Sequence, residues 1–374
     1  MKIVINSYNT LSAGTSIVSK QLLQMLEKNS FPFTVRIIIP KLDIFRNFKD
    51  SERIQITRLP VFWGPFKYVF RFFYELFVFP IIMLIKKPDV LLIMANYSPL
   101  DFNSRKIVFM QYSFLVEENI HTEMSLKMKP LELLRRLIFR RTVNSSDDII
   151  VQSEYMKSLL EQKYETKDLC IHVLPNPTSK EARPNIRSIP KDEKIALYVS
   201  RYYPHKNYEF ILKLVQTYKD ILKESNIKIY ITVDPNTSLS SKVLLKSIQT
   251  SQLENIIKNI GEINQEQLSI YYQRAFCLFF PSKTESFGNA LVEAMNQGLP
   301  VLVPELGYSK AICGEAGCYY APDNIEDAFH KLLLLSRDFS VWEKYSKLSH
   351  EQASKFPSIE QWFNQLLTII QMGS

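Results

Sequence analysis

Cysteine, histidine and glycine are all scarce in these 374 residues. The four cysteines, Cys170, Cys277, Cys313 and Cys318, form no CxxC pair, which argues against a zinc ribbon or a disulfide framework and for buried thiols in a reducing compartment. The five histidines, His121, His172, His205, His330 and His350, never fall into HExxH spacing, so no metal site is expected. There are nine glycines, and the turn over residues 9–23 lacks the GxGxxG pattern of a dinucleotide-binding strand and helix. A membrane-spanning helix is missing too. The most apolar stretch, "FWGPFKYVFRFFYELFVFPIIMLI" (62–85), is interrupted by Pro65, Lys67, Arg71, Glu75 and Pro80. "MKIVINSYNT" runs straight into a strand-like stretch without the form of a signal peptide, so a cytoplasmic protein is expected.

What is present is an ordinary globular balance of 46% hydrophobic and 22% charged residues, at a length that suggests two domains. Charge is unevenly spread. Residues 1–180 hold 25 Lys and Arg against 17 Asp and Glu, which accounts for the whole net charge of +8. The first half is therefore suited to an anionic partner and the second is not.

Short apolar runs alternate with longer helical patterns along the chain. "KIVIN" (2–6), "FTVRIIIP" (33–40), "DVLLIMA" (89–95), "RKIVFMQ" (105–111) and "DDIIVQS" (147–153) punctuate the first half. "KIALYVS" (194–200), "IKIYITV" (227–233), "FCLFFPS" (276–282) and "LPVLVP" (299–304) punctuate the second. Continuous apolar strands between helices predict parallel sheets covered on both faces. The proline-rich "LPNPTSKEARPNIRSIP" (174–190) predicts a linker, giving two Rossmann-like α/β domains whose ligands would lie at the carboxyl ends of the strands. "PSIEQWFNQLLTIIQ" (357–371) predicts an amphipathic helix.

Three loops hold the chemistry. In "TESFGNALVEAMNQG" (284–298), Glu285 precedes a turn and Glu293 lies in the early part of a helix expected to start near Gly288–Asn289 and stop at Gly298. Backbone N–H groups of Phe287, Gly288 and Asn289 at that helix start suit a diphosphate, and carboxylates suit sugar hydroxyls. A capping acid and a solvated helix acid would read the same way. In "YVSRYYPHKN" (198–207), Arg201 and Lys206 sit five apart on a strand-to-helix loop, as a phosphate clamp or as two surface cations. In "NTLSAGTSIVSKQLL" (9–23), Ser12, Ala13, Gly14 and Thr15 are small enough to let a ligand approach the chain.

Taken together these stretches resemble glycosyltransferase family 4, the retaining, metal-independent enzymes of the GT-B fold. "PSKTESFGNALVEAMNQGLPVLVPE" (281–305) resembles the signature of two glutamates separated by seven residues, and "SRYYPHKN" the donor-phosphate loop. "IVQSEYMK" (150–157), "VLPNP" (173–177) and "CGEAGCYYAPDN" (313–324) resemble further family stretches. The resemblance implies an acceptor-binding domain over 1–178, a nucleotide-sugar-binding domain over 190–356, and a helix over 357–374 returning to the first domain. It implies Arg201, Lys206 and Glu285 as catalytic, with the two cations neutralising the leaving diphosphate. Gly14, Thr15, Gln111, Ile263, Ser286, Phe287, Gly288, Asn289 and Glu293 are the implied donor-binding residues, with Glu293 on the ribose. No metal or other cofactor is implied. Gln111 stands where many members carry a histidine, and "TVDPNT" (232–237) lacks the usual glycines.

The expected activity is retaining transfer from a nucleotide diphosphate sugar, UDP ahead of GDP, to a lipid-linked saccharide of a bacterial surface polysaccharide. "LKMKPLELLRRLIFRR" (126–141) reads as a basic amphipathic helix, with Leu131, Leu134 and Ile138 on one face and Arg135, Arg136, Arg140 and Arg141 turned to an anionic membrane. An ordinary core helix with a cationic outer face reads alike. Peripheral attachment to the inner face of the plasma membrane follows from the first reading. A non-catalytic sugar-nucleotide-binding subunit is favoured only by Gln111. A nucleic-acid-binding protein is favoured only by the basic half, and no nucleic-acid motif accompanies that charge.

Overall fold

The computed structural model describes residues 1–11, 13–62, 70, 73–94, 96–98, 100–117, 129–178, 189 and 193–372. Ser12, most of the proline-rich stretch after 178, and parts of the aromatic and basic segments around 63–72 and 118–128 lie outside them. Two compact units divide the chain, Met1–Pro177 with Pro357–Ser374, and Thr178–Phe356.

Among the described residues, seven strands form the sheet of the first unit: β1 Lys2–Asn6, β2 Thr34–Pro40, β3 Ile54–Leu59, β4 Val90–Ile93, β5 Arg105–Phe109, β6 Asp148–Val151 and β7 Cys170–Val173. Their order is β3-β2-β1-β4-β5-β6-β7, and all neighbours run parallel. Ile3 of β1 stands beside Val35 and Val90, so the central strands are apolar on both faces and need cover on both.

On one face lie the helix Ala13–Lys28 and the C-terminal helix Ile359–Gln371. Trp362, Phe363, Leu366, Ile369 and Ile370 repeat at helical spacing and pack into the same core as Ile3, Leu22 and Phe109. Ser358 caps that helix, its side chain accepting from the Gln361 N–H. At the far end, Arg105 grips Asp148 at 2.8 Å and donates to the Ile370 carbonyl at 3.1 Å. The opposite face is covered by the helices Phe79–Lys86, Lys129–Asn144 and Glu154–Lys163, whose Met83, Phe139 and Leu160 join Val4, Leu91 and Ile149.

The helix Lys129–Asn144 departs from the expected pattern. Glu132 is buried and Leu134 is exposed, although spacing placed Leu134 inward. The reason is local pairing: the Glu132 carboxylate takes Arg135 at 3.1 Å and the Tyr112 hydroxyl at 3.2 Å, so this acid turns the helix inward.

In the second unit six strands, β8 Lys194–Tyr198, β9 Ile227–Ile231, β10 Ile257–Asn259, β11 Ala275–Phe279, β12 Val301–Pro304 and β13 Gly317–Tyr320, lie in the order β10-β9-β8-β11-β12-β13. All neighbours are again parallel. The order reverses between β8 and β11. In an open α/β sheet the loops leaving the carboxyl ends of such a pair diverge to opposite faces and leave a crevice for a ligand.

Candidate active site

The loops after β8 and β11 carry the residues singled out from the sequence. After β8 the chain passes Arg201 and makes a short turn over Pro204–Lys206, ended by Asn207 in the left-handed region at φ 57°. Two buried tyrosines pin this loop by its carbonyls. The Tyr198 hydroxyl donates to Lys206 at 2.6 Å and that of Tyr208 to Ser200 at 2.5 Å. After β11, the Tyr308 hydroxyl donates to the Ser282 carbonyl at 2.5 Å, and the Lys283 N–H donates to the His205 carbonyl at 2.8 Å. The two loops are therefore tied to each other through main chain.

That tie sets Lys206 Nζ 2.5 Å from Glu285 Oε1, with the two side chains only 15% and 11% exposed. Lys206 Nζ also lies 5.7 Å from the centre of the Phe280 ring, which limits water on that side. Next to it, the His205 imidazole is pushed down to about 3, first by burial and then by the Lys206 charge, so it is neutral at ordinary pH.

Gly288 follows at φ 78° and opens the helix Asn289–Asn296. A Cβ there would stand 3.0 Å from Leu291 Cδ1, so both conformation and space call for glycine. Gly288 offers no side-chain cap, the Leu291 N–H turns back to the Gly288 carbonyl at 2.9 Å, and the helix start carries the positive end of its dipole. Phe287 is buried, its ring edge-on to Phe356 at 5.5 Å, so it meets a ligand only through its main chain. Glu293 accepts the Tyr272 hydroxyl at 3.1 Å.

Arg201 has a different partner. Its Nη2 lies 2.5 Å from Oε1 of Glu262, in the loop after β10 that also holds Ile263. The geometry thus joins Lys206 to Glu285, and Arg201 to the Ile263 loop. Gln111, Gly14 and Thr15 belong to the first unit. Gln111 follows β5; its main-chain N–H donates to Asn96 Oδ1 at 2.5 Å and its Nε2 to the Met94 carbonyl at 3.3 Å. Gly14 and Thr15 fall in the first turn of the helix Ala13–Lys28.

Of the basic quartet, Arg135 and Arg136 are committed inward. Arg136 donates to the Phe114 and Glu117 carbonyls at 2.8 and 2.6 Å, whereas Arg140 and Arg141 are exposed. Sequence reasoning passed over Tyr272, Glu262 and the loop-pinning tyrosines. Tyr272, Glu262 and Tyr308 lie far along the chain from their partners, as Tyr272 does at 21 residues from Glu293, while Tyr198 and Tyr208 sit eight residues from theirs with no local motif to mark them.

A pairing of one acid and one cation at two strand ends, beside a glycine-opened helix, can hold a phosphorylated sugar by both of its parts. The chain is similar to several known glycosyltransferases. Residues 179–352 match the family model described as glycosyl transferases group 1. An uncharacterized glycosyltransferase of Haemophilus influenzae is 24% identical over 292 residues, 75% of this chain and 74% of that protein. The O-antigen chain mannosyltransferase B of Escherichia coli is 27% identical over 149 residues, 40% of this chain and 38% of that protein. Among solved structures, WaaG, a glycosyltransferase involved in lipopolysaccharide biosynthesis, superposes with a TM-score of 0.75 at 15% identity, over 99% of this chain and all of that one.

Proposed function

We propose that this chain, a group 1 glycosyltransferase of the GT-B fold, moves a sugar with retention from a nucleotide diphosphate sugar to a lipid-linked saccharide. The donor is a UDP-sugar ahead of a GDP-sugar, and the product serves a bacterial surface polysaccharide of the O-antigen, lipopolysaccharide or capsule kind. The work is done at the cytoplasmic face of the membrane. The observation that carries the donor reading is the contact of Lys206 with Glu285, at 2.5 Å, beside the Gly288-opened helix.

In the reaction the bond from the anomeric carbon to the diphosphate oxygen breaks, and its electron pair leaves with the diphosphate. The anomeric carbon bonds to an acceptor hydroxyl on the face that the diphosphate leaves, and the proton of that hydroxyl passes to the departing diphosphate oxygen. Charge therefore grows on the diphosphate, and Lys206 is positioned to neutralise it in a site shielded from water. As Lys206 turns to phosphate, Glu285 is released to accept hydrogen bonds from the donor sugar. Arg201 reaches the diphosphate by exchanging Glu262 for phosphate oxygens, a small cost because that pair is well exposed. Glu293, held by Tyr272, accepts the ribose hydroxyls. The reading is supported by the kinds of relative reported above, which include an O-antigen mannosyltransferase.

The experiment is a thermal-shift screen of UDP- and GDP-sugars, followed by transfer to lipid-linked acceptors with the product anomer read by NMR. A stabilising donor and a product of unchanged anomeric configuration are expected. An inverted product refutes retention, and the absence of any stabilising sugar nucleotide refutes the donor site.

A further inference from the structure

The first unit has an apolar surface that neither its core nor the donor site accounts for. From residue 73 to 86 the chain is helical, and it is apolar on both sides. Tyr74, Phe79 and Met83 point into the core. Phe77, Ile81, Leu84 and Ile85 repeat at helical spacing on the other side, where Leu84 is 72% and Ile85 68% exposed. A helix that is apolar all round is normally buried on all sides.

The helix Lys129–Asn144 is basic, yet it also turns apolar side chains outward. Its acid, Glu132, is buried, while Leu133 and Leu137 face outward, Leu133 at 61% exposure. Both helices pack on the same face of the sheet and flank one loop. Phe79 meets Phe102 edge-on at 5.5 Å, and Tyr97 meets Phe139 at 6.4 Å, while Thr142 accepts the Ser98 N–H at 3.1 Å. Their outward sides therefore belong to one surface of the unit, larger in apolar content than scattered exposed residues.

Charge decides what covers it. Within the two helices and at the close of the first the exposed charges are cationic, with Lys86 and Lys87 closing one and Arg140 and Arg141 near the end of the other, while Asp89, Asp101 and Asp147 are exposed in the adjoining loops. The acids are engaged elsewhere: Glu75 takes the Asn9 side-chain amide at 2.7 Å and Glu132 takes Arg135. In the intervening loop Asp101 faces Lys106 at 3.8 Å. A second copy of the chain would set these cations against each other, whereas an anionic surface meets them. The run 73–86 is about 21 Å long, shorter than the roughly 30 Å of a bilayer core. Among the described residues no helix is long and apolar enough to cross a membrane.

We infer that the outward faces of residues 73–86 and of the helix Lys129–Asn144 insert side by side into the interface of an anionic bilayer, lying in its plane. The apolar side chains enter the acyl boundary and the four cations stay among the headgroups. Attachment is thus mainly apolar, and Arg135 and Arg136 take no part in it. The inference deepens the lipid-linked-acceptor reading and rests on it for its physiological use.

The test is flotation of the full chain with vesicles of phosphatidylglycerol and phosphatidylethanolamine, at about 0.1 M and about 1 M salt. Three proteins are compared: the parent, Ile81→Ser/Leu84→Ser/Ile85→Ser, and Arg140→Gln/Arg141→Gln. The parent is expected to bind at both salt concentrations. The triple serine variant should bind at least about tenfold more weakly at both. The arginine variant should lose several-fold at low salt and little at high salt. All three substituted apolar residues are exposed, so circular dichroism and the melting midpoint should not change. Failure of the parent to bind, release of the parent by high salt, or parent-like binding by the serine variant overturns the inference. So does a dimer in sedimentation that the serine variant dissolves while vesicle binding stays unchanged. If vesicle binding follows expectation while no lipid-linked acceptor is glycosylated, the acceptor reading fails and the inserted surface stands.

Discussion

Lys206 and Glu285 hold each other in a place with little water, so each substitution has two consequences. Lys206→Ala removes the charge proposed to meet the leaving diphosphate, and turnover should fall by about 10² to 10³, as for other lost charge-stabilising donors. It also leaves Glu285 half-buried without its cation, so Lys206→Ala/Glu285→Gln should recover part of the stability lost in the single variant, measured by urea denaturation, without recovering turnover. Glu293 is proposed to act in donor binding. Glu293→Ala should raise the nucleotide dissociation constant by roughly 10- to 100-fold in calorimetry, and Tyr272→Phe by about fivefold, with turnover at saturating donor nearly unchanged. Equal losses of turnover in the two would remove Glu293 from the ribose. His205 gives a pH signature. Its native pKa is about 3 against 6.5 for the free side chain. Between those values the unfolded chain takes up a proton that the native chain does not, so stability should fall as pH drops below about 6.5. His205→Gln should flatten that decline in urea midpoints taken from pH 7.5 to 5.

The elements show why some of the fold could be read from the chain and some could not. The nine strands expected from apolar runs are the interior strands of the two sheets. The four passed over, β3, β7, β10 and β13, are the sheet edges. β7 has one exposed and three half-buried residues and β10 two exposed of three, so neither makes a continuous apolar run. β13, "GCYY", is mostly buried but short and has no Val or Ile. The candidate site divides in the same manner. Glu285, Gly288 and Glu293 were legible because turn, cap and acid lie within nine residues of chain. The pairings of Arg201 with Glu262 and Glu293 with Tyr272 were not, because sheet order rather than sequence spacing creates them. The C-terminal helix was legible from its period, and its energetic weight comes from Trp362, wholly buried with an indole N–H that has no hydrogen-bond partner. Trp362→Ala removes packing and no hydrogen bond, and should destabilise the first unit by about 3 to 5 kcal/mol. Chemical denaturation followed by circular dichroism should show the transition of the first unit moving to lower denaturant while donor-induced stabilisation of the second unit persists.

At the scale of the molecule, the net positive charge is concentrated in the half where the proposed membrane and acceptor would be met, and the half proposed to hold the donor is neutral overall. For a neutral half to hold the proposed diphosphate, which brings about two negative charges, its positive potential has to be local. Arg201, Lys206 and the start of the helix Asn289–Asn296 supply roughly two charges and a half, and their partners Glu262 and Glu285 lie on the edge of the same site. Once the donor draws both cations away, those carboxylates face sugar and solvent and no longer cancel the charge on the phosphates. A divalent ion would then add little and would compete with Lys206 for the same oxygens. Among the described residues no three His, Cys, Asp or Glu side chains gather as metal ligands. Transfer is therefore expected to proceed at full rate in EDTA, and added manganese or magnesium should leave kcat within about twofold. Because the cations do the neutralising, metal should not rescue Lys206→Ala either. Loss of transfer in EDTA with recovery on manganese, or rescue of Lys206→Ala by metal, would show that an ion carries the charge these side chains are assigned.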